Sequence, residues 1–350
     1  MRPSGGEGHM GRSGRGSFTR RRFVQGAVLG AATMLRLAPT AARAEPPPEV
    51  SQLTIADLRG GGICTAPQYV AEELLRAEGF GEVRYLPKDS QAERLHAVAA
   101  GEAQLVVTFV SSLLARIDAG DPIVFLAGAH VGCFELFGSD RVRAIRDLKG
   151  KTVAVTQEGS PDHLFLSAIL AHIGLDPRRD IRWVAHPPAT AIELLAAGQI
   201  DALLNFPPVP QELRARRIGR LVLNSATDRP WSQYFCCMVA GNRDFVRHHP
   251  VAAKRAVRAL MKSADICALE PERTARNLVG KGYAAREDYA VQALKDIPYA
   301  RWREYDPTDT VRFYALRLHE AGMVKSSPHR IVAQGTDWRF LNELKKELKG

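Results

Sequence analysis

The sequence is short of most features that announce a chemistry. Its 350 residues hold five cysteines, Cys64, Cys133, Cys236, Cys237 and Cys267, with no C-x-x-C pair and no Cys/His spacing that would build a zinc or redox centre. An odd count leaves at least one thiol unpaired even in an oxidising compartment. Cys236 and Cys237 stand in an apolar run and read as small core residues. A dinucleotide fingerprint is missing too, because Gly60-Gly61-Gly62 lacks the G-x-G-x-x-G spacing. His248-His249 precedes Pro250 in a loop and has no further ligand at a useful distance. Long apolar runs are also lacking. The stretch from Phe23 to Leu35 is 13 residues, contains Gly26 and Gly30, and is closed by Arg36. A membrane-spanning helix needs about 20.

Acidic residues are scarce only at the start. Residues 1–44 carry eight arginines and one acid, Glu7, so this segment holds +7 of the formal net charge of +10. The remainder is nearly balanced, which removes the nucleic-acid reading that the total invites. Arg20, Arg21 and Arg22 ahead of the apolar stretch, with Ala42-Arg43-Ala44 behind it, make an export signal cleaved after Ala44. Thr19-Arg20-Arg21-Arg22-Phe23-Val24-Gln25 resembles the twin-arginine motif, with Val and Gln where that family has Leu and Lys. The expected location is therefore periplasmic, and no cysteine near the cleavage site offers a lipid anchor.

After a stiff Glu45-Pro46-Pro47-Pro48-Glu49 leader, strand and helix patterns alternate. Strands are expected over 53–58, 82–86, 104–108 and 123–129, with a helix over 65–78 and another capped by Ser90-Gln91-Ala92-Glu93. The pattern then restarts with strands over 151–155, 181–184 and 201–205, followed by one over 234–240 and an almost wholly helical stretch from Pro250 onward. Alternation of this kind predicts an α/β fold with mainly parallel sheets. Ligands on such sheets gather outside the carboxyl ends of strands, at helix N-termini. Three places qualify: Cys64 to Gln68, Phe109 to Ser112, and Gly159 to His163.

The run Asp147-Leu148-Lys149-Gly150-Lys151-Thr152-Val153-Ala154-Val155 resembles the strand that opens the second lobe of periplasmic solute-binding proteins. Gly159-Ser160, Gly174-Leu175-Asp176-Pro177 and Ala197-Gly198-Gln199-Ile200-Asp201-Ala202 resemble the nitrate/sulfonate/taurine and thiamine-pyrimidine-precursor branch. Ala66-Pro67-Gln68-Tyr69-Val70-Ala71 is similar to its first-helix pattern, and Ala100-Gly101-Glu102-Ala103-Gln104 to the first-lobe counterpart of the Gly-Gln-Ile-Asp-Ala run. The resemblance covers most of residues 50–270. It implies a two-lobed periplasmic binding protein of type II, with mixed, mainly parallel sheets and a helical C-terminal portion. Lobe one would comprise 50–133 plus 238–350, lobe two 139–231, and the hinge crossings 134–138 and 232–237. The implied function is capture of a small solute by hinge closure for an ABC permease in the inner membrane. The protein would act as a monomer, with no nucleic-acid partner, cofactor or metal, and without enzymatic activity.

Carried over by position, the resemblance implies a pocket containing Pro67, Gln68, Ser111, Ser160 and Phe206. Glu135 and Tyr234, beside the crossings, join them on geometric grounds. Two departures bear on the ligand. Pro161 after Ser160 lacks an N–H for an oxyanion, and Glu135 and Asp162 bring carboxylates whose only compensating cations would be His163 and His130. Both disfavour nitrate or a simple sulfonate and favour a neutral or cationic solute stacked on Phe206, Tyr234 or Trp231. The rival is an enzyme on the same fold. One branch of the resembling family makes a pyrimidine phosphate with a lysine-bound pyridoxal cofactor and a cysteine-rich run. Cys236-Cys237 is a faint echo of that run, and no Lys stands between residue 50 and Lys88. Arg214, Arg216, Arg217 and Arg220 read as a solvated face.

Overall fold

The computed structural model describes residues 45–348, so the export signal expected over residues 1–44 lies outside the described residues. From Pro47 onward the chain is one compact unit. Its first block runs β1 (Gln52–Leu58), α1 (Ala66–Val70), α2 (Glu72–Ala77), β2 (Glu82–Lys88), α3 (Gln91–Ala99), β3 (Leu105–Phe109), α4 (Val110–Asp118) and β4 (Ile123–Val131). The single helix expected over 65–78 is two, separated at Ala71. The second block runs β5 (Glu135–Gly138), β6 (Thr152–Val155), α5 (Pro161–His172), β7 (Arg182–Ala185), α6 (Pro188–Ala196), β8 (Ala202–Asn205), α7 (Val209–Arg216) and β9 (Arg220–Asn224). Then come β10 (Phe235–Asn242) and the helices α8 (Arg243–His248), α9 (Pro250–Leu269), α10 (Pro271–Gly280), α11 (Glu287–Asp296), α12 (Pro307–Glu320), α13 (Pro328–Gly335) and α14 (Arg339–Glu347).

The two five-stranded sheets share one plan, the first block's four strands being completed by β10. The first has the order β2-β1-β3-β10-β4 and the second β7-β6-β8-β5-β9. In each, one strand runs antiparallel to both neighbours: β10 between β3 and β4, and β5 between β8 and β9. The sheets are therefore mixed rather than wholly parallel. Burial follows position. The inner strand β3 and the helix-covered β4 are buried along their whole length and apolar but for Thr108 and His130. Edge strand β2 alternates in exposure and tolerates Pro87, whose missing N–H faces no neighbour.

The chain leaves the first sheet after Val131 and enters the second at Glu135; it returns between Asn224 and Phe235. Glu135 and Leu136 thus already belong to β5, and Cys236 and Cys237 to β10. The two crossing segments bind each other. Ser225 Oγ accepts from Cys133 N (3.1 Å) and Phe134 N (2.9 Å), and donates to Phe134 O (2.8 Å). Behind them an aromatic core joins both halves: Phe109, Phe134 and Phe165 lie with ring centres 4.9 to 5.3 Å apart. Trp231 and Tyr314 pack against Phe165. The last helix docks through Leu341 and Leu344, which its apolar spacing predicts.

Candidate functional site

Where the two halves meet, a cavity of about 40 Å³ lies at the carboxyl ends of β1 and β3. The first half contributes Gly61, Gly62, Cys64, Thr65, Gln91, Arg94, Thr108, Phe109 and Cys237; the crossing contributes Cys133 and Phe134; the second half contributes Pro161 and Phe206. This is the placement that open α/β sheets favour for ligands. Glycine has a specific task here. Gly61 sits at φ +72°, and a Cβ on it would meet Tyr283 at 2.8 Å. The triple-glycine run is therefore a tight turn bordering the cavity.

A buried polar network supports this wall. Arg94 is 2% exposed; its guanidinium donates to Val107 O (2.6 Å), Ala56 O (3.2 Å) and Gln68 Oε1 (3.3 Å). Gln68 Nε2 donates to Asp57 Oδ1 at 3.1 Å, and the Tyr69 hydroxyl donates to the same oxygen. Burial raises the Asp57 carboxyl above its ordinary value, opposed by Tyr69 and by the Arg94 charge. Arg94 is the cavity's cation, a role that nothing in its sequence position signals. Gln91 donates to Thr108 Oγ1 at 2.7 Å, fixing two polar groups on the rim. Across the cavity, Phe134 and Phe206 meet edge to face, 5.4 Å between centres.

Of the seven residues singled out from the sequence, Phe206 borders this cavity. Gln68 stands behind it in the network, and Pro67 is buried with its carbonyl accepting from Ser263 Oγ at 2.7 Å. Ser111 lies in the first turn of α4, its buried hydroxyl without a partner. The Ser160 hydroxyl has Asp162 and Gln157 O (2.6 Å) as alternative acceptors for its one proton, while Asp162 Oδ2 accepts from Thr156 N at 2.6 Å. That carboxylate therefore serves its own loop. Tyr234 stacks on Phe313 with 3.9 Å between centres and borders a different recess, beside Asp306 and Arg229. Trp231 is core, 2% exposed. His163 accepts from Gly159 N at 3.0 Å and faces a separate recess of about 700 Å³ with Trp183 and Met323. Burial lowers its pKa, opposed by Glu158 and Asp162.

Glu135 is held by Arg214, which also reaches Asp296 Oδ2 at 2.8 Å. Arg214 is thus no part of a solvated face. It ties α7 of the second half to the end of α11, which packs on the first. Burial raises the Glu135 carboxyl, against the pull of Arg214. The outer pair is partly exposed, so its strength is that of a screened surface contact, about 0.5 kcal/mol. Asp296→Asn is expected to lower stability by roughly that amount at low salt and by nothing measurable at high salt. Denaturant melts at the two ionic strengths check this; an equal loss in both would mean the contact is not electrostatic.

The cysteines are all buried, as expected for Cys236 and Cys237, but they are not scattered. Cys64, Cys133 and Cys237 have their sulfurs within 4.8 Å of one another, and Cys133 Sγ lies 3.1 Å from Cys236 Sγ. Thiol donation from Cys133, Cys236 and Cys64 holds Cys237 well below the usual thiol range, with His130 adding to the effect. Burial pushes Cys133 and Cys236 up. Linear spacing could not reveal the group, because its members come from the turn after β1, the first crossing and β10.

Known proteins place the architecture. The nitrate-binding protein NrtA of Synechocystis PCC 6803 superposes with a TM-score of 0.71 at 16% identity, over 87% of this chain and 90% of that one. The aliphatic sulphonate binding protein SsuA of Escherichia coli gives 0.64 at 18%, over 80% and 91%. The alkanesulfonate-binding protein SsuA of Xanthomonas axonopodis pv. citri, bound to MOPS, gives 0.63 at 20%, over 83% and 99%. No match was found among curated protein sequences. The fold is that of a type II periplasmic binding protein, and no helix among the described residues is long and apolar enough to cross a membrane. A model of the NMT1-like family matches residues 47–280, and this chain belongs to that family.

Proposed function

We propose that this chain is the extracytoplasmic solute-binding component of an ABC importer, closing two lobes on a small organic solute. The lobes are those built on the first and second sheets, hinged at 132–134 and 225–234. The observation that carries the reading is the cavity at the strand ends, to which both halves and the crossing contribute side chains. At about 40 Å³, against roughly 10 to 15 Å³ for one water on the same measure, it accommodates a few waters and no organic solute. Capture therefore requires the lobes to part and close again, the hinge motion of this fold class. Structural likeness to nitrate- and sulfonate-binding proteins supports the importer role.

The cleft's charges differ from those expected. Glu135 and Asp162 are engaged by Arg214 and by the Thr156–Ser160 loop, and Arg94 stands at the wall. A cationic solute is disfavoured; a neutral or singly anionic one, seated against Phe206, fits. A thermal-shift screen over pyrimidines, aryl acids, sulfonates, amines and nitrate tests this, since a ligand of the folded state must raise stability. Phe206→Ala is expected to weaken the ligand so found by ten- to a hundredfold, about 1.5 to 3 kcal/mol of lost apolar contact. Stabilisation by none of the five classes would remove the reading, and stabilisation by amines alone would remove the charge preference.

A further inference from the structure

Three thiols from distant parts of the chain converge on the wall of the interlobe cavity. Cys64 follows β1, Cys133 lies in the first crossing and Cys237 lies in β10. Their sulfurs are all within 4.8 Å of one another. Three thiolates bound to one zinc ion, with metal–sulfur bonds of about 2.3 Å, stand about 3.8 Å apart. Ångström-scale side-chain adjustment therefore suffices to close the set around one ion.

The surroundings favour a soft ion. The three contribute sulfur alone, and thiolate donors select zinc and copper(I) over calcium or magnesium. The ring of His130, the residue paired with Cys237 across β4 and β10, places Nε2 2.8 Å from Cys64 O. A hydrogen bond there fixes the backbone of one ligand from the second layer, the arrangement that tunes built metal sites. Arg94, whose charge compensates Asp57, borders the same cavity. Phe109, Phe134 and Phe206 keep bulk water away, and the cavity leaves room beside the sulfurs for one further small donor.

We propose that Cys64, Cys133 and Cys237 form a three-thiolate site for a single thiophilic ion of the zinc or copper(I) class, its fourth position turned into the cavity. The site goes beyond the solute-binding reading but lines the same cavity as the proposed solute, and its test is made without any solute.

The full chain, reduced and metal-free under anaerobic conditions, is titrated with cadmium, whose thiolate bonds absorb in the near ultraviolet. Saturation at one ion per chain is expected, with no response to magnesium or calcium. X-ray absorption of the zinc-loaded protein should count three sulfur neighbours at about 2.3 Å. Cys64→Ser, Cys133→Ser and Cys237→Ser should each weaken cadmium binding at least tenfold, whereas Cys267→Ser should leave it unchanged. Should the first three variants fold poorly, the sulfur count in the unaltered chain still decides. No stoichiometric uptake, fewer than three sulfurs, or uptake indifferent to all three substitutions would each overturn the site.

Discussion

Replacing Gly132 with alanine is expected to lower the unfolding free energy by about 3 kcal/mol, because two costs coincide there. Gly132 sits at φ +52°, where an L side chain is strained. An added Cβ would also fall 2.2 Å from Ala226 Cα and 2.4 Å from Ala226 N, both backbone atoms of the other crossing. Backbone cannot rotate aside as a side-chain tip can, so the crossings must separate. Gly150→Ala isolates the first cost, since Gly150 has φ +73° and an added Cβ there would meet nothing within 4 Å. That substitution is expected to cost about 1 kcal/mol. Denaturant unfolding of both variants measures the difference. Equal losses would mean that the crossings are not in contact as described.

Arg94→Met is expected to cost about 3 to 5 kcal/mol, the usual loss when one charge of a buried set is removed. The carbonyls of Ala56 and Val107 and Oε1 of Gln68 lose their donor, and Asp57 loses its compensating charge. The pH dependence separates this cause from lost packing. Burial already raises the folded-state Asp57 value above its unfolded one, and without Arg94 it rises further. A folded carboxyl with a raised pKa binds its proton more tightly than the unfolded chain does. Its ionisation therefore costs stability, fully so above the folded value and not at all below the unfolded one. Relative to the parent protein, the Arg94→Met deficit should shrink as pH falls from about 7 toward 4. Adding Asp57→Asn should reduce the deficit at neutral pH. A deficit constant with pH would assign the loss to packing alone.

Most of the strands are legible as short apolar runs between turn signals, and the two that are not, β5 and β9, have identifiable reasons. β5 is four residues directly after the aromatic crossing, and β9 follows the arginine run and is exposed over Arg220 and Leu221, so neither gives a clean apolar pattern. The candidate site is less legible than the fold. Position along the chain locates the strand-end loops but cannot say which side chains turn toward the cavity. Gln68, Ser160 and Glu135 each satisfy a local partner instead. Arg94 is hidden because it stands among Glu93 and His96 in a helix, and arginine on such a helix is ordinarily exposed. The thiol group is hidden because convergence of distant segments leaves no trace in spacing.

The plan of the first sheet carries a consequence for synthesis. β10 lies between β3 and β4, yet the chain makes it about a hundred residues after β4. Until it arrives, the first sheet is two fragments, β2-β1-β3 and a lone β4, each with an unpaired apolar edge. Every strand of the second sheet, by contrast, lies between Glu135 and Asn224 and can pair without waiting. At translation rates of about 5 to 20 residues per second, the gap lasts about 5 to 20 s. The later-made sheet is thus free to fold first, while the earlier one keeps open edges until β10 is made.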